Sequence, residues 1–302
     1  MHNIYIAGTG IWHTKEKISS NTNSKGVFII SHGMAEHIGR YNWLISKLND
    51  DGYHVISRDH RGHGVNITKK NTQGYFADSN GWFKVRDDLK ETISYANKKF
   101  PNLPCFLLGH SMGSWIALST LNNKSSIKAL ILSGSSKLPK LLIIINLIII
   151  KIDILINGKF NQSKLIDGLT IRKFNAEYKP NRTPNDWISS DTESVDNYTN
   201  DPLCGFIVTS SLWLDLCNGL MMIFQKDYYS DSNKELPILV MSGEHDAASS
   251  NSKLSQRLYK FLLTIFNNVT FKIVKDARHE VFTEVNKLSS YNYMINYIKD
   301  IR

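Results

Sequence analysis

The residues with the clearest chemical potential are five consecutive ones, GHSMG at positions 109–113, which fit the pattern G-x-S-x-G around Ser111. They end an apolar segment that begins at residue 104 and precede a helix-like segment that begins near Met112. In this strand–turn–helix context the pattern is typical of a nucleophilic serine on a sharp turn, where flanking glycines allow close backbone approach. The helix N-terminus directs free N–H groups toward a developing oxyanion. The sequence therefore predicts Ser111 as a catalytic nucleophile.

A serine hydroxyl is a weak nucleophile at neutral pH, so it needs a base, and the base needs an orienting acid. In enzymes with this type of serine turn, the acid and then the histidine follow the serine along the chain, each after a later strand. Asp246 ends the apolar segment that begins at residue 236, and His279 ends the one that begins at residue 268. We therefore predict Asp246 as the acid and His279 as the base.

Other residues compete for these two roles. The histidines before Ser111 stand in the wrong chain order for the base, and His245 is the neighbour of the predicted acid. Asp59 and Asp201 remain alternative acids. A structural role in the turn DHRGHG is the better interpretation of Asp59, because it precedes the nucleophile.

A tetrahedral intermediate also needs preorganised hydrogen-bond donors for its oxyanion. One donor is expected from the backbone N–H of Met112, the residue after the nucleophile. The second is expected from the loop after an early strand, and here residues 26–33 end in such a loop. Because Gly33 permits a turn, we predict the Met34 amide as the second donor.

Short apolar segments alternate with longer amphipathic ones, and this alternation determines where the candidate residues lie. The apolar segments show no polar alternation, which is typical of strands buried on both faces of a parallel sheet. The segments between them, such as residues 40–52 and 82–100, carry apolar residues at helical spacing. An α/β domain with a mostly parallel sheet flanked by helices is therefore predicted. The predicted strands are residues 4–14 (as a hairpin or one strand), 26–33, 53–59, 104–111, 128–135, 236–246 and 268–279.

About a hundred residues separate the predicted strand at residues 128–135 from the one at residues 236–246, which is too long for an ordinary connection. We predict a core of residues 1–136 and 233–302 with an insertion of residues 137–232, called the cap below. From Leu141 to Ile156 the cap opens with an almost continuous apolar run. Charged residues at positions 151 and 153 break it, and a membrane-spanning helix needs about 20 predominantly apolar residues. We expect a lid helix that lines the substrate site and contacts a membrane surface, with a buried core helix as the alternative.

Composition excludes several classes of protein. The net charge of +9, from 36 basic and 27 acidic side chains, is not concentrated in a Lys/Arg block, which argues against nucleic-acid binding. Three cysteines, Cys105, Cys204 and Cys217, imply neither a disulfide framework nor a metal site. No phosphate-binding glycine motif appears, so we expect neither cofactor nor metal. The first residues lack the pattern of a signal peptide, so a cytoplasmic location, peripheral at membranes, is expected.

Five segments, HGMAEHIGRY, DHRGHG, GHSMGS, SGEHD and ARHE, occur in this order. In sequence and spacing they resemble the monoacylglycerol lipase and lysophospholipase group of the α/β-hydrolase fold, which includes serine aminopeptidase-like hydrolases. The resemblance covers nearly the whole chain outside the cap. It implies an α/β-hydrolase fold with an inserted, mainly helical cap. It also matches Ser111, Asp246 and His279 to the nucleophile, acid and base, and the Met34 and Met112 amides to the oxyanion donors.

The resemblance further implies substrate-binding positions and an activity. Glu36, Arg40 and His110 match polar residues near the site, and an ion-pair scaffold is the open alternative for Glu36 and Arg40. The implied activity is hydrolysis of carboxylic esters of single-chain lipids, such as a monoacylglycerol or a lysophospholipid, through an acyl-enzyme. The alternatives are a carboxylesterase, thioesterase or aminopeptidase acting on other acyl substrates, and a non-catalytic binding protein.

Overall fold

The computed structural model describes residues 24–68 and 72–301, together with the backbone of three short strands before residue 18. The strands of this part of the chain are β1 (Ile4–Tyr5), β2 (Ile11–Trp12), β3 (Thr14–Lys17), β4 (Gly26–Ser31), β5 (Tyr53–Arg58), β6 (Cys105–His110), β7 (Ala129–Ser133), β8 (Ile238–Gly243) and β9 (Val269–Val274). The helices are α1 (Asn42–Asp50), α2 (Gly81–Lys99), α3 (Met112–Ser119), α4 (Lys140–Asn157), α5 (Lys164–Leu169), α6 (Ile171–Ala176), α7 (Thr192–Asn200), α8 (Ser210–Ile223), α9 (Lys253–Leu262) and α10 (Lys287–Lys299).

Seven of the described strands form one sheet in the order β3-β5-β4-β6-β7-β8-β9. Strands β4 to β9 are parallel, and β3 joins β5 antiparallel at one edge. The predicted mostly parallel sheet is therefore confirmed. Strands β1 and β2 pair antiparallel, as the predicted hairpin would, and the residues that connect them lie outside the described part of the chain.

Helices cover both faces of the sheet, and this explains why the strands are continuously apolar. In β4, Val27 and Ile29 pack with the residues of α2, α3 and α9, whereas Phe28 and Ile30 pack with those of α1 and α10. Because successive side chains of a strand point to opposite faces, each face of a central strand needs an apolar residue.

The cap contributes the described helices α4 to α8 between β7 and β8. Its first helix, α4, packs against α8, and the buried Asp153 of α4 connects the two helices. Asp153 accepts hydrogen bonds from the Ser210 hydroxyl of α8, from Asn161 Nδ2 at 3.1 Å and from Ser163 Oγ at 3.2 Å. The charge that interrupts the apolar run is thus an anchor between cap elements. The division into a core of residues 1–136 and 233–302 and a cap of residues 137–232 stays a prediction.

Helix α4 divides its apolar side chains between two environments. Ile143 and Ile150 are buried in the core cluster, while Leu141, Ile148 and Leu155 are exposed, the last of them by 85%. Across residues 24–68 and 72–301, none of the helices combines the length and the apolar character that crossing a bilayer requires.

Candidate active site

Ser111 lies between the end of β6 and the start of α3, at the turn that the pattern predicted. Its backbone angles, φ 49° and ψ −121°, are rarely adopted by residues other than glycine, and such strain persists where the surrounding structure holds it in place. The Ser111 N–H donates to the Ser133 carbonyl oxygen at 2.9 Å. A Cβ on Gly113 would lie 2.1 Å from the Ser31 carbonyl oxygen, so only glycine allows α3 to begin this close to β4.

Asp246 and His279 follow strands β8 and β9 and meet at the same edge of the sheet. The Nδ1–H of His279 donates to Oδ1 of Asp246 at 2.9 Å, and both side chains are buried. Burial disfavours the charged form of each group, but their mutual attraction outweighs it, so the pKa of Asp246 is lowered and the pKa of His279 is raised. This pairing makes Nε2 the ring nitrogen that can accept a proton, and Nε2 has no hydrogen-bond partner among the described residues.

Ser111 and His279 line one cavity between the sheet and the cap, together with Met34, Met112, Glu36 and His110. The rest of its wall is largely apolar and comes from α4, α5, α6 and α8 of the cap and from the loops between them. The apolar residues of this wall include Ile149, Ile150, Ile166, Leu169, Phe174, Trp187, Phe206, Trp213, Leu216 and Leu220. The structure therefore places the predicted nucleophile and base at one end of an apolar cavity.

The two amides predicted as oxyanion donors both border this cavity. Met112 is the first residue of α3, where the N–H of a helix has no partner within the helix. Neither the Met34 nor the Met112 N–H is bonded within the part of the chain that the structure describes. Both donors are thus available to an oxygen beside Ser111.

Glu36 and Arg40 belong to a buried polar network under the loop that carries Met34. Glu36 accepts hydrogen bonds from the Gly33 N–H, from Tyr41 Oη at 2.8 Å and from Arg40 Nη1 at 3.0 Å. Arg40 is also held by two hydrogen bonds to Glu280, the residue after His279. The Glu36 side chain borders the cavity, whereas Arg40 does not. The substrate-binding role of both residues stays a prediction.

His110 borders the cavity and packs beside the predicted base, with 4.9 Å between the two ring centroids. Burial lowers the pKa of His110, and the nearby charge of His279 lowers it further, so His110 is neutral at pH 7. Its Nδ1 lies 3.3 Å from the Ser133 hydroxyl. The structure therefore places His110 against both the cavity and the base, and its substrate-binding role stays a prediction.

The alternative acids lie elsewhere. The Asp59 carboxylate accepts from the backbone N–H groups of Ile38 and Val65, at 2.8 and 2.9 Å, which is a structural role. Asp201 pairs with His37 at 2.9 Å.

Two groups of side chains in the described residues come close enough together to be considered as metal ligands. The first consists of the exposed residues Glu244, His245 and Asp276, and the second consists of His37, Asp201 and Cys204. In the second group, the Gly39 N–H donates to Nδ1 of His37, so Nε2 carries the ring proton and donates it to Asp201. A nitrogen that carries a proton cannot bind a metal, so this arrangement fits a hydrogen-bonded pair better than a metal site.

Sequence reasoning missed three aromatic cap residues that lie at or near the base and the acid. The Trp187 ring packs against the His279 ring at 4.8 Å between centroids, and Phe174 packs against Trp187 at 5.5 Å. Tyr178 donates from its hydroxyl to the carbonyl oxygen of His245, next to the predicted acid. None of these aromatic residues belongs to a motif, so no local signal in the sequence marks them.

A comparison with known protein families gives a match over most of the chain. The model of a family described as "Serine aminopeptidase, S33" matches residues 22–286. The chain belongs to this family. Proteins similar to this chain include a monoglyceride lipase homologue of Monkeypox virus, 27% identical over 275 residues that cover 88% of this chain and 86% of the relative.

A monoacylglycerol lipase of Mycolicibacterium smegmatis is 25% identical over 268 residues, which cover 87% of this chain and 84% of the relative. Among solved structures, a thermostable carboxyl esterase from Bacillus coagulans superimposes with a TM-score of 0.84 at 24% identity, covering 95% of this chain and 93% of that one. The predicted α/β-hydrolase fold and the predicted family resemblance are therefore confirmed. The chain is a serine ester hydrolase of this fold.

Proposed function

We propose that this protein hydrolyses carboxylic esters of single-chain lipids, with Ser111 as the nucleophile, His279 as the base and Asp246 as the acid that orients it. The observation that carries the proposal is the buried His279–Asp246 hydrogen bond of 2.9 Å, with the unpaired Nε2 of His279 in the same cavity as Ser111. A base within reach of a serine, and itself oriented by a carboxylate, is the arrangement that activates a hydroxyl.

The proposed reaction has two halves that use the same groups. His279 Nε2 removes the proton of the Ser111 hydroxyl as its oxygen attacks the ester carbonyl, and Asp246 stabilises the imidazolium that forms. The Met34 and Met112 amides donate to the oxyanion of the tetrahedral intermediate. His279 then returns the proton to the departing alcohol, which leaves an acyl group on Ser111. Water attacks this acyl-enzyme by the same steps and releases the fatty acid.

The apolar cavity wall supports a substrate with one long acyl chain. Apolar side chains from the cap, including those of α8, line the cavity that holds Ser111, and an alkyl chain gains free energy by leaving water for such a surface. The names of the relatives from Monkeypox virus and Mycolicibacterium smegmatis, monoglyceride and monoacylglycerol lipases, point to the same substrate class. A monoacylglycerol or a lysophospholipid is the proposed substrate.

Ser111→Ala tests the nucleophile. We expect hydrolysis of a medium-chain monoacylglycerol to fall by about 10⁴-fold or more, because the remaining groups have no nucleophile to activate. Ser289→Ala, which changes an exposed serine, is the matched control and should keep full activity. Labelling of the native protein by a fluorophosphonate, absent in Ser111→Ala, reports the same residue independently of substrate choice. Full activity of Ser111→Ala would refute the assignment.

A substrate panel tests the substrate class. We expect monoacylglycerols and lysophospholipids to be better substrates than a short p-nitrophenyl ester, an acyl thioester or an aminoacyl p-nitroanilide, compared by kcat/KM. A preference for the short ester or the thioester would favour the esterase or thioesterase alternative. Cleavage of the anilide would favour aminopeptidase activity. Absence of turnover together with absence of fluorophosphonate labelling would indicate a binding protein.

We also propose that the cap residues from Leu141 to Ile156 act as a lid that contacts a membrane surface where substrate is collected. The outer face of α4 exposes Leu141, Ile148 and Leu155, and α5 of the cap also has exposed apolar residues. A surface of this kind is favoured at the boundary between lipid head groups and acyl chains. Serine substitutions at positions 148, 152 and 155 should reduce sedimentation with phosphatidylcholine vesicles. Val285→Ser, at an exposed site outside the cap, should not reduce it. Unchanged binding of the triple variant would exclude the lid surface.

A further inference from the structure

Trp187 is a cap residue that lies directly against the predicted base. It follows α6 in the loop before α7, borders the cavity, and is 7% exposed. Its ring centroid lies 4.8 Å from that of His279, with 37° between the ring planes. The cap therefore contributes a side chain to the position where the alcohol half of an ester would leave.

Hydrogen bonds hold this part of the cap to the loop that carries His279. The Glu280 N–H donates to the Ile188 carbonyl oxygen at 2.8 Å, and Arg278 Nη1 donates to the Ser189 carbonyl oxygen at 3.2 Å. Both donors are direct neighbours of His279, and both acceptors follow Trp187 closely. These hydrogen bonds, one on each side of His279, fix the position of the indole relative to the imidazole.

The Trp187 indole N–H is buried and has no acceptor among the described residues. Buried donors are normally paired, because an unpaired one loses its hydrogen bond to water without replacement. Trp115, in the same cavity wall, follows that rule, since its N–H donates to the Ser136 carbonyl oxygen at 2.8 Å. Trp213 is a second cavity residue with an unpaired indole N–H, but it lies in α8 and has no ring contact with His279 among the described contacts.

We propose that Trp187 is a specificity-determining residue whose indole N–H donates to a hydroxyl oxygen of the alcohol half of the ester. The inference rests on the proposed function, because it places the leaving oxygen at Nε2 of His279. A group bonded to that oxygen lies beside the imidazole, and the indole packs against the same ring. An indole is a donor only, so its partner must be an acceptor such as the hydroxyl oxygen of a polyol. Among the proposed substrates, this contact favours an acyl ester of glycerol, whose free hydroxyl oxygens can accept the hydrogen bond.

The test compares two esters of one fatty acid, the 1-glyceryl ester and the propyl ester, which share a three-carbon alcohol and differ by two hydroxyl groups. The wild-type protein should show a higher kcat/KM for the glyceryl ester. Trp187→Phe keeps an aromatic ring against His279 and removes the N–H. We expect this variant to lower kcat/KM for the glyceryl ester about tenfold, because one buried hydrogen bond is lost. The kcat/KM for the propyl ester should change less than twofold.

Trp115→Phe is the matched control, because it removes an indole N–H that already has a protein acceptor. It should leave the ratio of the two kcat/KM values unchanged. The proposal is overturned if the wild-type protein cleaves both esters equally well, a result that does not depend on how the variant folds. It is also overturned if Trp187→Phe slows both esters by one factor and shifts the acidic limb of the pH profile, since that result shows an effect on His279 alone. The proposal would likewise be overturned if Trp213→Phe, and not Trp187→Phe, removed the preference for the glyceryl ester over the propyl ester. Failure of the wild-type protein to cleave either ester or a lysophospholipid would reject the proposed function itself.

Discussion

Glu36→Gln should destabilise the protein, because Glu36 is a buried carboxylate with both oxygens engaged. Oε1 accepts from the Gly33 N–H and the Tyr41 hydroxyl, and Oε2 accepts from Arg40. A glutamine has one oxygen and one NH₂ group, so it must direct the NH₂ group toward a donor on one side. The substitution keeps the shape of the side chain and removes its charge, so it isolates the electrostatic contribution.

Two independent routes give the magnitude. Burial acts to raise the pKa of Glu36, but the Arg40 guanidinium and other neighbours outweigh it and lower the pKa from 4.5 to about 2. At about 1.4 kcal/mol for each tenfold change in proton affinity, the carboxylate stabilises the fold by about 3 kcal/mol at pH 7. Removing one partner of a buried ion pair costs about 3–5 kcal/mol, which agrees. Because the pKa is lower in the folded state, this stabilisation is complete above pH 4.5 and is lost as the pH falls toward 2.

Urea unfolding followed by tryptophan fluorescence measures the effect. We expect Glu36→Gln to lower the free energy of unfolding by about 3 kcal/mol at pH 7. The difference from the wild-type protein should shrink by about 1 kcal/mol at pH 4, where an unfolded glutamate is largely protonated. Glu177→Gln, at an exposed site, is the control and should change the free energy by less than about 0.5 kcal/mol. A loss below about 1 kcal/mol, or a difference that does not change with pH, would refute the reasoning.

Three further predictions concern the base, the cap anchor and the serine turn. Only neutral His279 accepts the serine proton, and its pKa is raised, so kcat/KM should fall as the pH drops through a pKa above 6.5. Asp246→Asn should move this acidic limb of the pH profile to lower pH and should also slow the reaction. Asp153→Ala should lower the free energy of unfolding by about 2 kcal/mol in urea titrations, because the buried Ser163 and Ser210 hydroxyls and the Asn161 amide lose this acceptor. Gly113→Ala should prevent accumulation of folded, fluorophosphonate-reactive protein, because its Cβ would overlap the Ser31 carbonyl oxygen.

Each of these three predictions has a control variant or a result that would contradict it. An unchanged acidic limb in Asp246→Asn would exclude the carboxylate as the cause of the raised histidine pKa. Asp231→Ala, at an exposed site, is the control for Asp153→Ala, and equal stability of the two variants would contradict the anchor. Gly168→Ala adds a Cβ that has no atom within 4 Å, so it is the control for Gly113→Ala. Normal labelling of Gly113→Ala would show that the turn tolerates a side chain.

Local signals account for the parts of the fold and site that were predictable. Strand β6, the turn at Ser111 and helix α3 are consecutive in the chain, so one stretch of residues carries the pattern and its context. Asp246 and His279 were predictable because parallel strands all end at one edge of the sheet, which brings the loops after β8 and β9 near the loop after β6. Their catalytic roles stay predictions, although the structure brings all three side chains to one edge.

The cap was the part that the sequence described least. Helix α4 is apolar nearly all round, so its pattern does not indicate which side faces the protein. Only packing decided that Ile143 and Ile150 lie inside while Leu155 lies outside. Asp153 looked like an interruption in an apolar run, and its partner Ser210 is 57 residues away. A contact between residues so far apart in the chain produces no periodic pattern of residues in either segment.

By itself, the sequence determined the alternation of strands and helices outside the cap, the position of the serine turn and the membership of a hydrolase family. These depend on periodicity and on motifs within short stretches, where each residue's neighbours are known. Only the tertiary structure decided that Arg40 is held by Glu280, 240 residues later, and that Trp187 of the cap packs against His279. Such pairs arise because separately formed elements close around one cavity, and complementary shape and charge across that cavity are properties of the assembled fold.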